Sequence, residues 1–165
     1  MSTIVVVGNP KPRSRTTHAA ERVAAAIDPN GTSTVVELAD LGARLLDWSD
    51  PEVTALVAAV RQARLLVVAT PTYKATFTGL LKLFLERFEG GTGLTGVVVV
   101  PVQLGGSDRH RLSPEVHLKP VLAEIGATVP TPALYLLDSQ PDGQEERDWL
   151  DRWAPVVRRQ AGLDR

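Results

Sequence analysis

Basic and hydroxyl side chains are concentrated in the segment Gly8 to Thr17, which directly follows an apolar run. The cations are Lys11, Arg13 and Arg15, and the hydroxyl groups belong to Ser14, Thr16 and Thr17. A doubly charged phosphate monoester needs several convergent donors, and the N–H groups at a helix start add partial positive charge. The pattern favours a phosphate site over the alternative in which Ser14 only caps a helix and the cations are solvated.

Other well-known phosphate-binding motifs do not fit this segment. A P-loop ends in Gly-Lys-Ser/Thr, whereas here Ser14 follows Arg13 and no second glycine is present. A dinucleotide fingerprint needs three spaced glycines, and only Gly8 is available. A receiver domain would carry acidic residues at this point, and the segment is basic. These comparisons leave a phosphate monoester site.

A second segment, Pro71 to Lys82, combines short polar groups with aromatic rings. Tyr73 and Phe77 are two of only eight aromatic residues in the chain. A flat ring system is bound where backbone polar groups meet its edge and an apolar surface lies near its face. The segment therefore predicts a site for a flat heterocycle, although Phe77 could equally be a core or interface residue.

A third segment, Gly105-Gly106-Ser107, has two interpretations. Paired glycines let the backbone approach a ligand closely, but the same residues also suit a plain turn. Arg109 and Arg111 follow in the sequence. They could contact the phosphate of a nicotinamide dinucleotide or remain solvated.

Five apolar runs alternate with stretches of helical periodicity, which predicts an α/β fold. The predicted strands cover residues 3–7, 34–38, 65–70, 96–104 and 133–137, and the predicted helices cover 15–27, 53–60, 79–88, 118–125 and a last one from Gln144. Pro120 should kink or restart its helix, and Pro155 should bend the last one. Such an alternation predicts a three-layer sandwich, a parallel sheet in the order 2-1-3-4-5 with helices on both faces. The segments after strands one, three and four would then meet at one sheet edge, where ligands bind in such folds.

Composition limits the remaining possibilities. The chain has 165 residues, 44% of them hydrophobic and 22% charged, with a formal net charge of -1, so we expect one soluble domain over residues 1–165 and no affinity for nucleic acid or membranes. It contains no cysteine, which excludes disulfides and thiolate chemistry and fits a cytoplasmic location. The three histidines lack ligand spacing. We therefore expect neither a metal site nor a protein nucleophile.

The helix predicted over 79–88 has an unusually wide apolar face. Its apolar side chains are Leu80, Leu81, Leu83, Phe84, Leu85 and Phe88. A face of this width is typically buried on more than one side, which favours a symmetric dimer or a pair of dimers over a deep core helix in a monomer.

The segment Pro71 to Lys82 resembles the flavin loop of the NAD(P)H-dependent FMN reductase family. The resemblance is to the branch that serves alkanesulfonate monooxygenases, whose pattern is Pro-x-Tyr-Lys-Ala-Ser/Thr-x-Ser/Thr-Gly-x-Leu-Lys, and every fixed position is matched. The first segment is similar as well, with Gly-x-Pro followed by Ser-Arg-Thr-Thr at 14–17. Further matches lie at 118–122 and 138–140, so the resemblance spans most of the chain.

This resemblance implies a flavodoxin-like fold, FMN as substrate or cofactor, and NADPH or NADH as the hydride donor to flavin N5. It places the phosphate on Ser14, Arg15, Thr16 and Thr17, and the isoalloxazine along Pro71, Thr72, Tyr73 and Lys74. Gly105, Gly106 and Ser107 would contact flavin or nicotinamide. It also implies a homodimer or homotetramer that supplies reduced FMN to a partner monooxygenase.

Two other functions remain open on the sequence alone. A quinone or azo-type reductase with tightly bound FMN would have the same fold. A flavodoxin-type electron carrier is the more distant alternative, because such carriers usually dock through strongly acidic surfaces and this chain is nearly neutral.

Overall fold

Helices and strands alternate along the chain in a computed structural model that describes residues 3–164. The strands are β1 (Thr3–Val7), β2 (Ser33–Glu37), β3 (Leu65–Pro71), β4 (Val98–Gly105) and β5 (Leu134–Leu137). The α-helices are α1 (Arg15–Ile27), α2 (Leu38–Leu41), α3 (Pro51–Arg61), α4 (Gly79–Leu85), α5 (Lys119–Glu124) and α6 (Gln144–Gln160). Two 3-10 turns, Gly42–Leu46 and Asp108–His110, and a π-helical turn, Pro114–Leu118, complete the set.

The five strands form one parallel sheet in the order β2-β1-β3-β4-β5, which confirms the predicted flavodoxin-like topology. The register brings the strand ends level. Val7, at the end of β1, lies opposite Glu37 of β2 and Ala69 of β3. Pro71, at the end of β3, lies opposite Leu104 of β4. The segments that follow these strands therefore leave the sheet from the same edge.

The sheet is covered on both faces, as the continuous apolar runs of its inner strands require. On β3, Leu66 and Val68 pack in a core cluster with residues of α3, α4 and α5. Their neighbours Leu65, Val67 and Ala69 pack in a second cluster with residues of α1 and α6. Every residue of β1, β3 and β4 is buried.

Most predicted elements occur, with shifted ends at several of them. β1 and α1 have the predicted limits. β2 ends at Glu37, one residue before the predicted end, because Leu38 is buried as the first residue of α2. β4 begins at Val98 and β5 at Leu134, slightly later than predicted. Neither α2 nor the 3-10 turn after it was indicated by the sequence pattern.

α4 ends at Leu85, three residues before the predicted end. Arg87 and Phe88 donate their N–H groups to carbonyls only three residues back, at Phe84 (3.1 Å) and Leu85 (3.3 Å). This tighter pattern is the usual way in which a helix terminates. Phe88 is nevertheless buried beside α5, so the apolar face continues beyond the helix.

Pro120 marks a helix restart, one of the two outcomes predicted for it. The π-helical turn ends at Leu118, and Pro120 is the second residue of α5. A proline is tolerated in the first turn of a helix because its missing N–H would have no partner there. α6 continues through Pro155 to Gln160.

Candidate functional site

The first segment lines a pocket of about 510 Å³ at the carboxyl edge of the sheet. Its wall contains Asn9, Lys11, Arg13, Ser14, Arg15, Thr16, His18, Pro71, Tyr73 and Asp138. The pocket thus joins the ends of β1 and β3 with the turn after β5. Its volume suits a ligand of nucleotide size.

Ser14 caps α1, and Thr17 completes a capping box with it. The Ser14 Oγ accepts the N–H of Thr17 at 3.3 Å, and the Thr17 Oγ1 accepts the N–H of Ser14 at 3.2 Å. The Thr17 hydroxyl also donates to Glu37 Oε1 at 2.8 Å. The contact of 3.2 Å between the two hydroxyl oxygens must therefore use the Ser14 proton. Both hydroxyls are therefore engaged by protein groups, in the capping box and, for Thr17, on Glu37 of β2.

Thr16 is buried at the pocket wall and is hydrogen-bonded to a neighbouring side chain. Its Oγ1 accepts a hydrogen bond from Asn9 Nδ2 at 3.1 Å, and within residues 3–164 its own proton has no hydrogen-bond acceptor. The N–H groups of Arg15 and Thr16 lie in the first turn of α1, where no intrahelical acceptor exists. Asn9 also fixes the loop, because its Oδ1 accepts the N–H of Lys11 at 3.0 Å.

Arg15 ties the first segment to the turn after β5. Its Nη1 donates to the carbonyl oxygen of Asp138 at 2.7 Å, across 123 positions of sequence. Arg15 lines the pocket together with Lys11 and Arg13. Three cations therefore face a pocket whose wall holds one carboxylate, that of Asp138, which gives the electrostatics of an anion site.

The second segment forms a tight two-residue turn. Tyr73 and Thr76 exchange two backbone hydrogen bonds of 2.8 and 3.2 Å around Lys74 and Ala75. Lys74 and Ala75 have φ values of 50° and 69°, a geometry in which glycine or asparagine is usual. Non-glycine residues in this region cost about 1 kcal/mol or more each, and such strain clusters at ligand sites. The turn holds Tyr73 half exposed at the pocket wall.

Two other predicted residues of this segment point into the protein. The Thr72 hydroxyl donates to the carbonyl of Leu104 at 2.8 Å and accepts from Gln103 Nε2 at 2.8 Å. Phe77 is partly buried and packs on the core cluster that contains Phe84. Phe77 thus has the contacts of a core side chain, one of the alternatives that the sequence allows for it.

The third segment lies at the same edge, but the wall of the 510 Å³ pocket, taken over residues 3–164, does not include it. Gly105 is buried, and a Cβ added there would lie 2.0 Å from Tyr135 Oη, so its small size serves internal packing. A Cβ on Gly106 would meet open space. Ser107 caps the following 3-10 turn through its Oγ, and its carbonyl accepts the Tyr135 hydroxyl at 2.7 Å. Burial raises the pKa of that hydroxyl.

Arg109 and Arg111 differ in their surroundings. Arg111 is paired with Glu145 and with Asp108, the latter at 2.7 Å, and its guanidinium lies 5.7 Å from the ring centre of Tyr135. The hydrogen bonds with Glu145, followed by those with Asp108, raise the pKa of the Arg111 guanidinium. Arg109 is exposed. Arg111 is exposed as well, and its carboxylate partners hold it on the surface of the protein.

Sequence reasoning missed several residues of the site. Asn9, His18 and Asp138 line the pocket, and Glu37 contacts the first segment from β2. An asparagine two residues before Lys11 is a turn signal that could have been used. His18 lies one turn along α1 from Ser14, with its ring 3.3 Å from Glu21. Glu37 carries a weaker sequence signal of a site residue, namely a charged side chain at the end of an otherwise uncharged strand.

Metal-binding and membrane-spanning features are both absent from the described part of the chain. Residues 3–164 contain no cluster of three or more His, Asp or Glu side chains placed to hold a metal ion. Over the same residues, none of the helices combines the length and apolar character needed to span a membrane.

Comparison with known proteins assigns the family. The model of the NADPH-dependent FMN reductase family matches residues 1–142. An FMN reductase (NADPH) of Pseudomonas putida is 33% identical over 144 residues, covering 85% of this chain and 73% of that protein. The NADH-dependent FMN reductase SfnF of Pseudomonas fluorescens is 34% identical over 141 residues, covering 75% of this chain and 73% of its own. The apo crystal structure of an NADH:FMN oxidoreductase (EMOB) superposes with a TM-score of 0.84 at 29% identity, over 95% of this chain and 88% of that one. The motifs, the topology and these matches agree, and the chain belongs to the NADPH-dependent FMN reductase family of oxidoreductases.

Proposed function

We propose that this protein transfers hydride from NADPH or NADH to FMN, and that the pocket at the carboxyl edge of the sheet binds the flavin. The observation that carries the proposal is the pocket's two-part wall. One part presents Lys11, Arg13 and Arg15 around the start of α1, and the other presents Tyr73 on a strained turn. A phosphate dianion and an aromatic ring on one ligand match these two parts.

The phosphate end would be held by the Thr16 hydroxyl, the N–H groups of Arg15 and Thr16, and the neighbouring cations. Ser14 and Thr17 would serve this end indirectly, by fixing the first turn through the capping box. Charge-assisted donors give the stronger hydrogen bonds to an anion. The cations therefore account for most of the selectivity for FMN over riboflavin, which lacks the phosphate.

The ring end would lie along Pro71, Thr72, Tyr73 and Lys74, with Gly106 leaving open space for a second planar ligand. Thr72 contributes its backbone, because its hydroxyl is bonded to β4. When bound, FMN supplies N5 as the hydride acceptor, and the chain's own residues position the rings and exclude water. In this proposal the flavin and the nicotinamide carry the hydride chemistry, and the protein contributes binding and orientation.

The handover of reduced FMN to a partner monooxygenase is part of the proposal. It is supported by the motif at 71–82, which matches the branch that serves alkanesulfonate monooxygenases. Gel filtration tests it: loss of FMN on the column indicates exchangeable flavin, and retained FMN with quinone turnover would favour the tightly bound reductase instead.

We further propose that the protein acts as a homodimer or homotetramer through α4 and its surroundings. Leu80 and Leu83 pack against the core but remain partly exposed. Beside them, Leu85, Phe88 and Val121 line a groove of about 430 Å³ between α4 and α5. Light scattering at micromolar concentration tests this arrangement, and a monomer would contradict it.

Steady-state oxidation of NADPH and NADH, with and without added FMN, tests the main proposal. We expect flavin-dependent turnover with at least one donor, and the absence of turnover with both donors would refute the proposal.

Arg15→Ala tests the phosphate end of the pocket. It should raise the KM for FMN about tenfold, the effect of losing a charged hydrogen bond, and leave the KM for riboflavin unchanged. Arg61→Ala removes the same charge from exposed α3, next to Glu89 at 3.6 Å, and serves as the matched control.

A further inference from the structure

Glu37 is placed by the sheet register directly beside the phosphate segment. It is the last residue of β2 and lies opposite Val7, the last residue of β1. The chain leaves β1 at Gly8 to form the segment Gly8 to Thr17. The Glu37 side chain thus belongs to a neighbouring strand, yet it borders the residues that follow β1.

One oxygen of this carboxylate holds two separate points of the segment. Glu37 Oε1 accepts the backbone N–H of Arg13 at 2.8 Å and the hydroxyl of Thr17 at 2.8 Å. The first point lies just before the start of α1, and the second lies in its first turn. Glu37 therefore clamps together the loop and the helix start that surround the Thr16 donor.

Arg13 needs such support because its backbone is in the left-handed region. Its φ is 49°, a value that disfavours residues other than glycine. The hydrogen bond from its N–H to Glu37 helps to keep the chain in this conformation. Without that acceptor, the turn that leads into Ser14 and Arg15 would lose one of its fixed points.

The second oxygen, Glu37 Oε2, is buried and has no hydrogen-bond partner among residues 3–164. No lysine, arginine or histidine of that described stretch lies within ion-pair distance of Glu37. The Glu37 side chain is thus held by two donors of the phosphate segment, the Arg13 N–H and the Thr17 hydroxyl. A buried polar atom without a partner is costly, so the two hydrogen bonds to Oε1 are what favour this position of the side chain.

We propose that Glu37 is a positioning residue that holds the phosphate segment in its FMN-binding form. The inference rests on the proposed function, since it takes the pocket to be the FMN site. Glu37 acts through the Arg13 N–H and the Thr17 hydroxyl and does not itself contact the ligand. Its influence is confined to the phosphate end, so it acts on FMN and not on riboflavin.

Binding measurements with both flavins test this role. Quenching of flavin fluorescence gives the Kd of FMN and of riboflavin for the full-length protein and for Glu37→Ala, Glu37→Gln and Asp40→Asn. Glu37→Ala should weaken FMN binding about tenfold and change riboflavin binding less than about twofold. Glu37→Gln keeps an acceptor oxygen and should stay within about threefold of wild type. Asp40 is an exposed carboxylate on α2, and its variant should match wild type.

Equal effects of Glu37→Ala on both flavins, or no effect on FMN, would overturn the inference. FMN binding by Glu37→Gln that is as weak as that by Glu37→Ala would also overturn it. The charge of Glu37, and not the hydrogen bonds that it accepts, would then be responsible for FMN binding. If Glu37→Ala does not fold, Thr17→Val removes one of the two clamped points and should show the same selectivity for FMN. Because these are binding measurements, they stand apart from turnover: an active wild type with unselective Glu37 variants refutes the role of Glu37 alone.

Discussion

Replacing Gly8 by alanine tests how closely the phosphate segment is packed against α4. Gly8 is the first residue after β1, and its N–H donates to Ala69 on β3 at 2.8 Å. Its carbonyl accepts the Thr78 hydroxyl at 2.5 Å. An added Cβ would lie 2.5 Å from Leu81 Cβ and 3.2 Å from Leu81 Cα. The close approach involves the backbone of a buried helix, so no side-chain rotation can relieve it.

The size of the effect follows from these distances. Ordinary contact begins at 3.4 Å, so β1 and α4 must separate by the difference from 2.5 Å, about 0.9 Å. Both elements are held in the core, and Leu81 is fully buried. Overpacking of a core of this kind costs roughly 1–3 kcal/mol. In a chain of this length that corresponds to a Tm lower by about 3–10 °C.

Flavin binding should suffer together with stability. A shift of Gly8 moves the start of the phosphate segment relative to Pro71 and Tyr73. We therefore expect the KM for FMN to rise more than the KM for riboflavin, because the shift is greatest near the phosphate donors. Thermal unfolding followed by circular dichroism gives the Tm, and steady-state kinetics gives the KM for FMN and the KM for riboflavin.

Gly79→Ala is the matched control for this experiment. Gly79 is the first residue of α4, and a Cβ added there meets no atom within 4 Å. The same change of glycine to alanine should leave stability unchanged or raise it by a few tenths of a kcal/mol. An unaltered Tm for Gly8→Ala, or an equal loss for Gly79→Ala, would show that contact with Leu81 does not limit this position.

Two further predictions concern charged groups outside the pocket. Glu146 on α6 is 5% exposed, and each of its oxygens accepts the Nε–H of Arg22 at 3.2 Å. Because Arg22 is 38% exposed, solvent screening limits the loss of unfolding free energy for Glu146→Gln to about 1 kcal/mol in urea unfolding. Glu86, which directly follows α4, forms an exposed pair with Lys82, so Glu86→Gln should leave the stability unchanged. The hydrogen bond from Arg44 is the main cause that lowers the pKa of Asp50, so Asp50 stabilises the fold above its unfolded-state pKa of about 3.9 and this contribution disappears as the pH falls through the lower folded value. Tm measured from pH 6 to about 2 should therefore fall less steeply for Asp50→Asn than for wild type, and parallel curves would contradict this.

The elements that sequence predicts well are those with two independent local signals. α1 has an apolar periodicity and a capping serine, and its observed limits match the predicted ones. The region 38–46 has neither signal. Its helical turns exist because Leu38, Leu41 and Leu45 are buried in the core, which is a tertiary cause. Periodicity over four or five residues is too short to reveal it.

Within the pocket, residue type predicts the chemistry better than it predicts individual roles. Ser14, Thr16 and Thr17 are equivalent as hydroxyl donors, and the sequence treats them alike. The helix start separates them, because the capping box engages Ser14 and Thr17, whereas Thr16 is bonded to Asn9. The partner of each hydroxyl is thus decided by local backbone geometry.

Long-range contacts account for the rest. Gly105 resembles a glycine kept small for ligand approach, yet it is Tyr135, thirty positions later on β5, that occupies the space beside it. Glu37 resembles an ordinary strand end, yet it holds two residues that lie 20 and 24 positions earlier in the sequence. Both contacts follow from strand register, since β4 pairs with β5 and β1 with β2. Because the alternation of strands and helices predicts the strand order, the ends of paired strands are where such distant partners should be sought in a sequence of this class.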